Sequence, residues 1–227
     1  MITIPQFLDF PLDNNSKEIV TFFLRLLEQK NKSMFLHSQQ VANYSVSIAA
    51  KMCLPLPDVS TIKTAALLHD IGHLATPNAL MAKYPFFNVR EKAAYRRHSV
   101  AGCSMLENIP EMDHVLKIIL HHHETWDGKG FPNRLKGVNI PLGARIIAVA
   151  DYYDMFLNPC TQNWKKTHEE AAQELRKYSG TRFDPEVVNA FFNVLTNSKN
   201  STKKTANSKE NILKDKSVDG YEYYSIK

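Results

Sequence analysis

The chain has 227 residues, 44% hydrophobic and 22% charged, which suits one globular domain with appendages. No apolar run approaches membrane-spanning length, MITIPQFLDF lacks the parts of a secretory signal, and three scattered cysteines make no disulfide framework, so the expected setting is a reducing cytoplasm. Of the +5 net charge, +3 falls in residues 198–227, which hold seven lysines and four acids, and the remainder is too dispersed for a stable nucleic-acid partner.

In chain order, SKEIVTFFLRLLEQK at 16–30 puts Ile19, Val20, Phe23, Leu26 and Leu27 on one helical face, with Ser16 as N-cap. A second helix is predicted from Ser33 to Cys53, since Val41, Tyr44, Ile48 and Met52 recur at helical steps. Pro57 and Asp58 start a short apolar helix that carries His69 and Asp70 in its last turn and ends at Gly72. Residues 88–107 and 111–125 read as two helices, and 127–142 as a Gly- and Pro-rich loop. The run GARIIAVADYYDMFL at 143–157 is apolar nearly all round, the mark of a central helix, with a buried strand as the weaker alternative. Helices over 168–178 and 185–195 follow, the second capped by Asp184 with Pro185 as its first residue. No strand-period segment appears. The expectation is all-α, a compact bundle of about seven to nine helices, divided as 1–32 leading segment, 33–197 main domain and 198–227 disordered tail.

Residues of metal-ligand type fall on elements expected to be buried: His37, His69, Asp70, His98, His122, His123 and Asp151, on five different helices. Neighbours such as His69 and Asp70 point about 100° apart on a helix, so such a pair serves two adjacent ions rather than one. Asp70 has two oxygens and is suited to bridge them. Two ions about 3.5–4 Å apart form a clamp for in-line displacement at phosphorus by an activated hydroxide. Asp151 lies inside IIAVADYY, where an unpaired carboxylate would cost several kcal/mol, so it calls for a cation or a strong donor. Mixed imidazole and carboxylate donors favour Fe or Mn, with Zn also compatible, over Mg or Ca.

The motifs HDIGH (69–73), HHETWDGKGFP (122–132), IPLGARII (140–147), VADYYD (149–154) and RFDPEVV (182–188) resemble, in the same order, those of the HD-GYP subgroup of the HD superfamily of metal-dependent phosphohydrolases. The resemblance spans about residues 33–193. It implies an all-helical domain that cleaves cyclic dinucleotides, chiefly cyclic di-GMP, with two or sometimes three metal ions. It also implies that His37, His69, Asp70 and Asp151 surround one ion, and that Asp70 bridges to a second completed by His98, His122 and His123. Glu124 would orient the ligands or brace the loop, and His121 would be structural or support a ligand from behind.

The chain departs from that pattern at four places. Ser33 stands where some members have a Glu for a third ion, so two ions are expected. His73 replaces a Lys, and is the candidate to meet substrate phosphate and act as general acid. Phe131 replaces the Tyr of the subgroup's name. LNPCTQNWKK, with Cys160 and Asn163, replaces an Arg and Lys that grip substrate phosphates, which leaves Lys165 and Lys166 as candidate substitutes.

The leading expectation is a dimetal phosphodiesterase opening a cyclic dinucleotide, most readily cyclic di-GMP, to a linear product. Asp70 and His73 are its catalytic candidates, and Lys129, Gly130 and Phe131 join His73, Lys165 and Lys166 as substrate-binding candidates. Two rivals remain: a phosphohydrolase for another nucleotide, and a catalytically weak, metal-bound scaffold docking a signalling-protein partner through the loop carrying Gly130, Phe131 and Pro132.

Overall fold

The computed structural model describes residues 14–158 and 165–196, and within them every regular element is helical. In chain order these are α1 (Asn14–Lys30), α2 (Lys32–Lys51), α3 (Leu56–Leu68), α4 (Asn78–Met81), α5 (Val89–Arg96), α6 (His98–Leu106), α7 (Asp113–His121), α8 (Leu142–Leu157) and α9 (His168–Lys177), followed by α10 over residues 185–196. One isolated bridge joins Ser179 to Phe183. The expected disordered tail and Cys160 lie outside the described residues. No helix among those described is long and apolar enough to cross a membrane.

Local chemistry sets most of the boundaries. Asn31 caps α2 by accepting from the backbone N–H groups of Ser33 and Met34, a device that contributes about 1 kcal/mol. Thr167 and Glu170 form a capping box on α9, as Asn88 and Glu91 do on α5. Asp184 caps α10 through the Glu186 N–H and also accepts from Arg145 at 2.6 Å, tying α10 to α8. Ser16 does not cap α1; that helix already begins at Asn14, and Ser16 is buried in its first turn.

The centre of the bundle is α8, packed between α2, α3, α7 and α9. Ala144, Ile146, Ile147, Val149, Ala150 and Tyr153 are fully buried, so the helical reading of this apolar run holds and the strand alternative falls. Each fully buried Ile or Val contributes about 1.5–3 kcal/mol. From α1, Val20, Leu24 and Leu27 enter the same core.

Two departures from the expected elements shape the site. The single helix expected over 88–107 is broken at Arg97, so His98 opens a new helix. The cause lies elsewhere in the chain, where the turn Ile71–Ala75 presses backbone to backbone on the start of α6. A Cβ on Gly72 would stand 1.8 Å from the carbonyl oxygen of His98. Gly72 is therefore required by close approach and not, as expected, to end α3, which stops at Leu68. The second departure is that α7 ends at His121, leaving His122 and His123 in the turn beyond it.

Gly72→Ala is expected to cost at least the upper end of the about 1–3 kcal/mol typical of overpacking, because the clash is with backbone that cannot rotate away. Gly102→Ala, whose nearest obstacle lies 3.2 Å away, should cost clearly less. Denaturant melts of the two variants side by side check the ordering.

Candidate metal centre

His69 and Asp70 follow the last turn of α3, His98 begins α6, and His122 and His123 follow α7, while His37 and Asp151 lie within α2 and α8. The adjacent pairs thus occupy the turns just past helix ends. Three of these rings are fixed by the same local bond. Nδ1 of His69, His98 and His122 lies 2.7, 2.8 and 2.7 Å from the carbonyl oxygen three residues earlier, on Ala66, Tyr95 and Ile119. A carbonyl only accepts, so each Nδ1 carries the proton and each neutral ring presents a bare Nε2 lone pair. Burial lowers the pKa of His98, and lowers that of His122 to about 3, so both rings are neutral near pH 7.

Those lone pairs converge. Nε2 of His98 stands 3.3 Å from Nε2 of His122 and 3.0 Å from Nε2 of His123. Asp70 completes this group with Oδ1 3.4 Å from His98, and turns Oδ2 to within 3.4 Å of His69 Nε2, which has no hydrogen-bond partner. Asp70 is thereby shared between two groups of donor atoms, each gathered within 4.8 Å: one with His98, His122 and His123, the other with His37 and His69. Burial raises the Asp70 pKa, but the histidines around it outweigh that and hold it well below the ordinary carboxylate value. Facing lone pairs repel unless a cation lies between them, so these residues fit divalent metal ions.

Asp151 stands beside the second group, with Oδ1 3.1 Å from His37 Nε2. The other face of the His37 ring gives a residue that the motif alone did not single out. Nδ1 of His37 donates to Oδ2 of Asp154 at 2.7 Å, and Asn158 holds the second Asp154 oxygen at 2.9 Å. Asp154 is fully buried and lies one helical turn beyond Asp151. Burial alone would lower the His37 pKa, but its bonds to Asp151 and Asp154 raise it well above the usual value.

His73 does not face the site as a free acid. It is fully buried, stacked on His98 at 4.1 Å between ring centres, with Nδ1 bonded to the Thr76 hydroxyl and Nε2 3.8 Å from Asp70. Burial pushes its pKa down to about 3, so the ring is neutral.

A cleft of about 560 Å³ opens over His122, His123 and Asp151. One wall is the loop after His123. Phe131 donates its N–H to the His123 carbonyl and lays its ring on the His123 imidazole at 4.8 Å. Gly130 lies so close behind that a Cβ would fall 2.4 Å from the Cα of Glu124. Its role is close approach; of the two loop glycines read from the motif, only Gly128 adopts a positive φ. Glu124 is buried, accepts from the Asn133 N–H and stands 3.5 Å from His121, bracing the loop from within. The Trp126 and Asp127 N–H groups bond to the carbonyls of Arg182 and Thr181, which fastens the loop to the turn before α10. Lys129 borders the cleft but pairs with Asp127 at 3.0 Å. Lys166 pairs with Glu174 at 3.2 Å, and neither it nor Lys165 borders the cleft.

The model of the HD domain matches residues 22–187. The chain belongs to the HD-domain family. It is 34% identical over 176 residues to a cyclic di-GMP phosphodiesterase of Thermotoga maritima, covering 77% of this chain and 48% of that one. It is 32% identical over 179 residues to 3'3'-cGAMP-specific phosphodiesterase 2 of Vibrio cholerae, covering 78% of this chain and 34% of that one. The chain therefore spans between a third and a half of the length of these relatives. Among solved structures, a cyclic GMP-AMP specific phosphodiesterase of V. cholerae superimposes with a TM-score of 0.64 at 20% identity, over 80% of this chain and 49% of that one, which is a likeness of fold.

Manganese should raise the melting temperature in a concentration-dependent way, by the equivalent of about 2.7 kcal/mol at a hundred-fold excess over Kd, and a chelator should reverse the gain. Asp70→Ala is expected to abolish the shift while leaving the far-UV circular dichroism helical. Asp154→Asn should weaken manganese binding about 10- to 100-fold, measured by calorimetric titration, because His37 loses the charge that orients it.

Proposed function

We propose that this chain is a metal-dependent phosphodiesterase that opens a cyclic dinucleotide, cyclic di-GMP foremost, to a linear product. The observation that carries the reading is Asp70, whose two oxygens face separate groups of histidines, one of which borders the cleft through His122 and His123. The names of the relatives at 34% and 32% identity point to the same substrate class.

His37, His69, Asp70 and Asp151 would hold one divalent ion, and Asp70, His98, His122 and His123 the other, with iron or manganese best suited to the donor set. When bound, such a pair supplies a lowered water pKa and positive charge beside phosphorus. The residues of the chain do the rest. The backbone carbonyls of Ala66, Tyr95 and Ile119 keep the Nδ1 protons of His69, His98 and His122 pointed away from the site. Asp154 does the same for His37. The Phe131 wall excludes water from one side of the scissile phosphate. Water adds to phosphorus, one P–O ester bond breaks, and the departing ribose oxygen takes its proton from solvent in the open cleft, since His73 is buried and neutral.

Placement of Lys166 against Glu174 favours a second reading, a related nucleotide substrate, because Lys166 is spent on that carboxylate and Lys165 does not border the cleft. The loop tip at Lys129, with a side chain 84% exposed, also offers a surface for a signalling-protein partner. Purified, manganese- or iron-loaded protein assayed against cyclic di-GMP, 3'3'-cGAMP and bis-p-nitrophenyl phosphate separates the readings. Turnover of a cyclic dinucleotide is expected, with at least a thousand-fold loss, on the order of that for removing an essential charge-stabilising group, in Asp70→Ala. Failure to cleave even the small diester would leave the scaffold reading standing.

A further inference from the structure

Resting on the phosphodiesterase reading, we infer that Arg96, seated on Phe131 and assisted by Lys92, binds the phosphate of the substrate that is not being cleaved. A cyclic dinucleotide carries two phosphates across one ribose-phosphate ring. When one lies at the histidine and aspartate groups, the other must meet the cleft wall, and a dianionic ligand needs a cation there.

The cations of the cleft are not equivalent. Lys129, the one that the motif put forward, is neutralised by Asp127, which also accepts from the Thr125 hydroxyl. Lys92 and Arg96 are exposed, border the cleft, and pair with no carboxylate among the described residues. They lie four residues apart on α5, hence on one face of that helix. The acids bordering the cleft are already engaged: Glu124 with Asn133, Asp127 with Lys129, Asp151 with His37. Arg182 also borders the cleft without a carboxylate partner among the described residues, but its guanidinium lies over the Tyr152 and Phe183 rings in the turn before α10, so the free positive charge beside Phe131 comes from α5.

Arg96 is also positioned. Its Cζ lies over the Phe131 ring, 4.9 Å from the centroid, and the same ring packs on the His123 imidazole at 4.8 Å. Phe131 thus links the Arg96 guanidinium to His123, a residue of the histidine group, through two successive ring contacts. A ring stacked under the guanidinium leaves its edge, the fork that grips phosphate bidentately, facing the cleft. A phenylalanine is sufficient for this, since the stack uses the ring face and no hydroxyl. Phe131 is on this account a positioning residue and Arg96 the binding residue.

The test uses the metal-loaded full chain and compares kcat/KM for cyclic di-GMP with kcat/KM for bis-p-nitrophenyl phosphate, which carries a single phosphate. In Arg96→Ala the ratio is expected to fall about 10- to 100-fold, mainly through KM, the loss of one charge-assisted phosphate contact. Arg96→Lys should recover part of it, because charge returns without the fork. Phe131→Ala should raise KM for cyclic di-GMP in the same direction and lose most of that effect when Arg96 is already Ala. A manganese-induced thermal shift in each variant certifies that the metal centre is intact. A ratio within two-fold of wild type in Arg96→Ala overturns the assignment while leaving the phosphodiesterase reading in place. If the wild type cleaves the small diester and no cyclic dinucleotide, both are overturned.

Discussion

Two buried imidazole nitrogens that face each other without a proton between them are the constraint on which the rest of this structure depends. His98 and His122 are held so by their own backbones, through bonds from Nδ1 to carbonyl groups of the preceding turn. In water each Nε2 would be solvated; here each is desolvated beside another of like polarity, and a cation between them relieves the arrangement. The fold is built to maintain that contact. Gly72 lets the turn bearing Asp70 rest on the backbone of His98, and Lys30 secures the same turn by donating to the carbonyls of Leu74 and Thr76. Without these close approaches, Asp70 could not serve both groups of histidines.

Much of this was legible in the sequence, because ligand chemistry is a property of residue type. His37, His69, Asp70, His98, His122, His123 and Asp151 could be picked out by residue type; the first six gather in two groups that share Asp70, and Asp151 stands beside His37. The central helix was legible too, since a run apolar on all sides has no place on a surface. Helix ends were less so. Periodicity carries on through 88–107, whereas the break at Arg97 is imposed by a turn some twenty-five residues earlier, through backbone contact that leaves no periodic signal. The same holds for His122 and His123, whose expected helix stops one turn short where the His122 ring takes up the Ile119 carbonyl.

Roles within the site were harder to read than membership. Asp154 sits in the quoted VADYYD motif, yet its bond to His37 depends on how α2 and α8 cross. His73 has the right chemistry for a proton donor, but packing turns it inward against His98. Lys165 and Lys166 follow the segment where cations were missing, and the structure commits Lys166 to Glu174 instead. Arg96 belongs to no motif at all. A cation on an exposed helix face has no sequence signature until a cleft and an aromatic platform are known to lie beneath it.

The position of the paired ligands just past helix ends has one more consequence. α3 stops at Leu68 and α7 at His121, with His69 and His122 next in the chain and their rings 5.1 Å apart, so the negative ends of both helix dipoles lie beside the histidine groups. Backbone electrostatics therefore draw positive charge to this spot independently of any single side chain. Loss of one imidazole removes a bond but leaves that field, so the pocket keeps an attraction for cations that evolution of the individual ligands can tune and cannot erase.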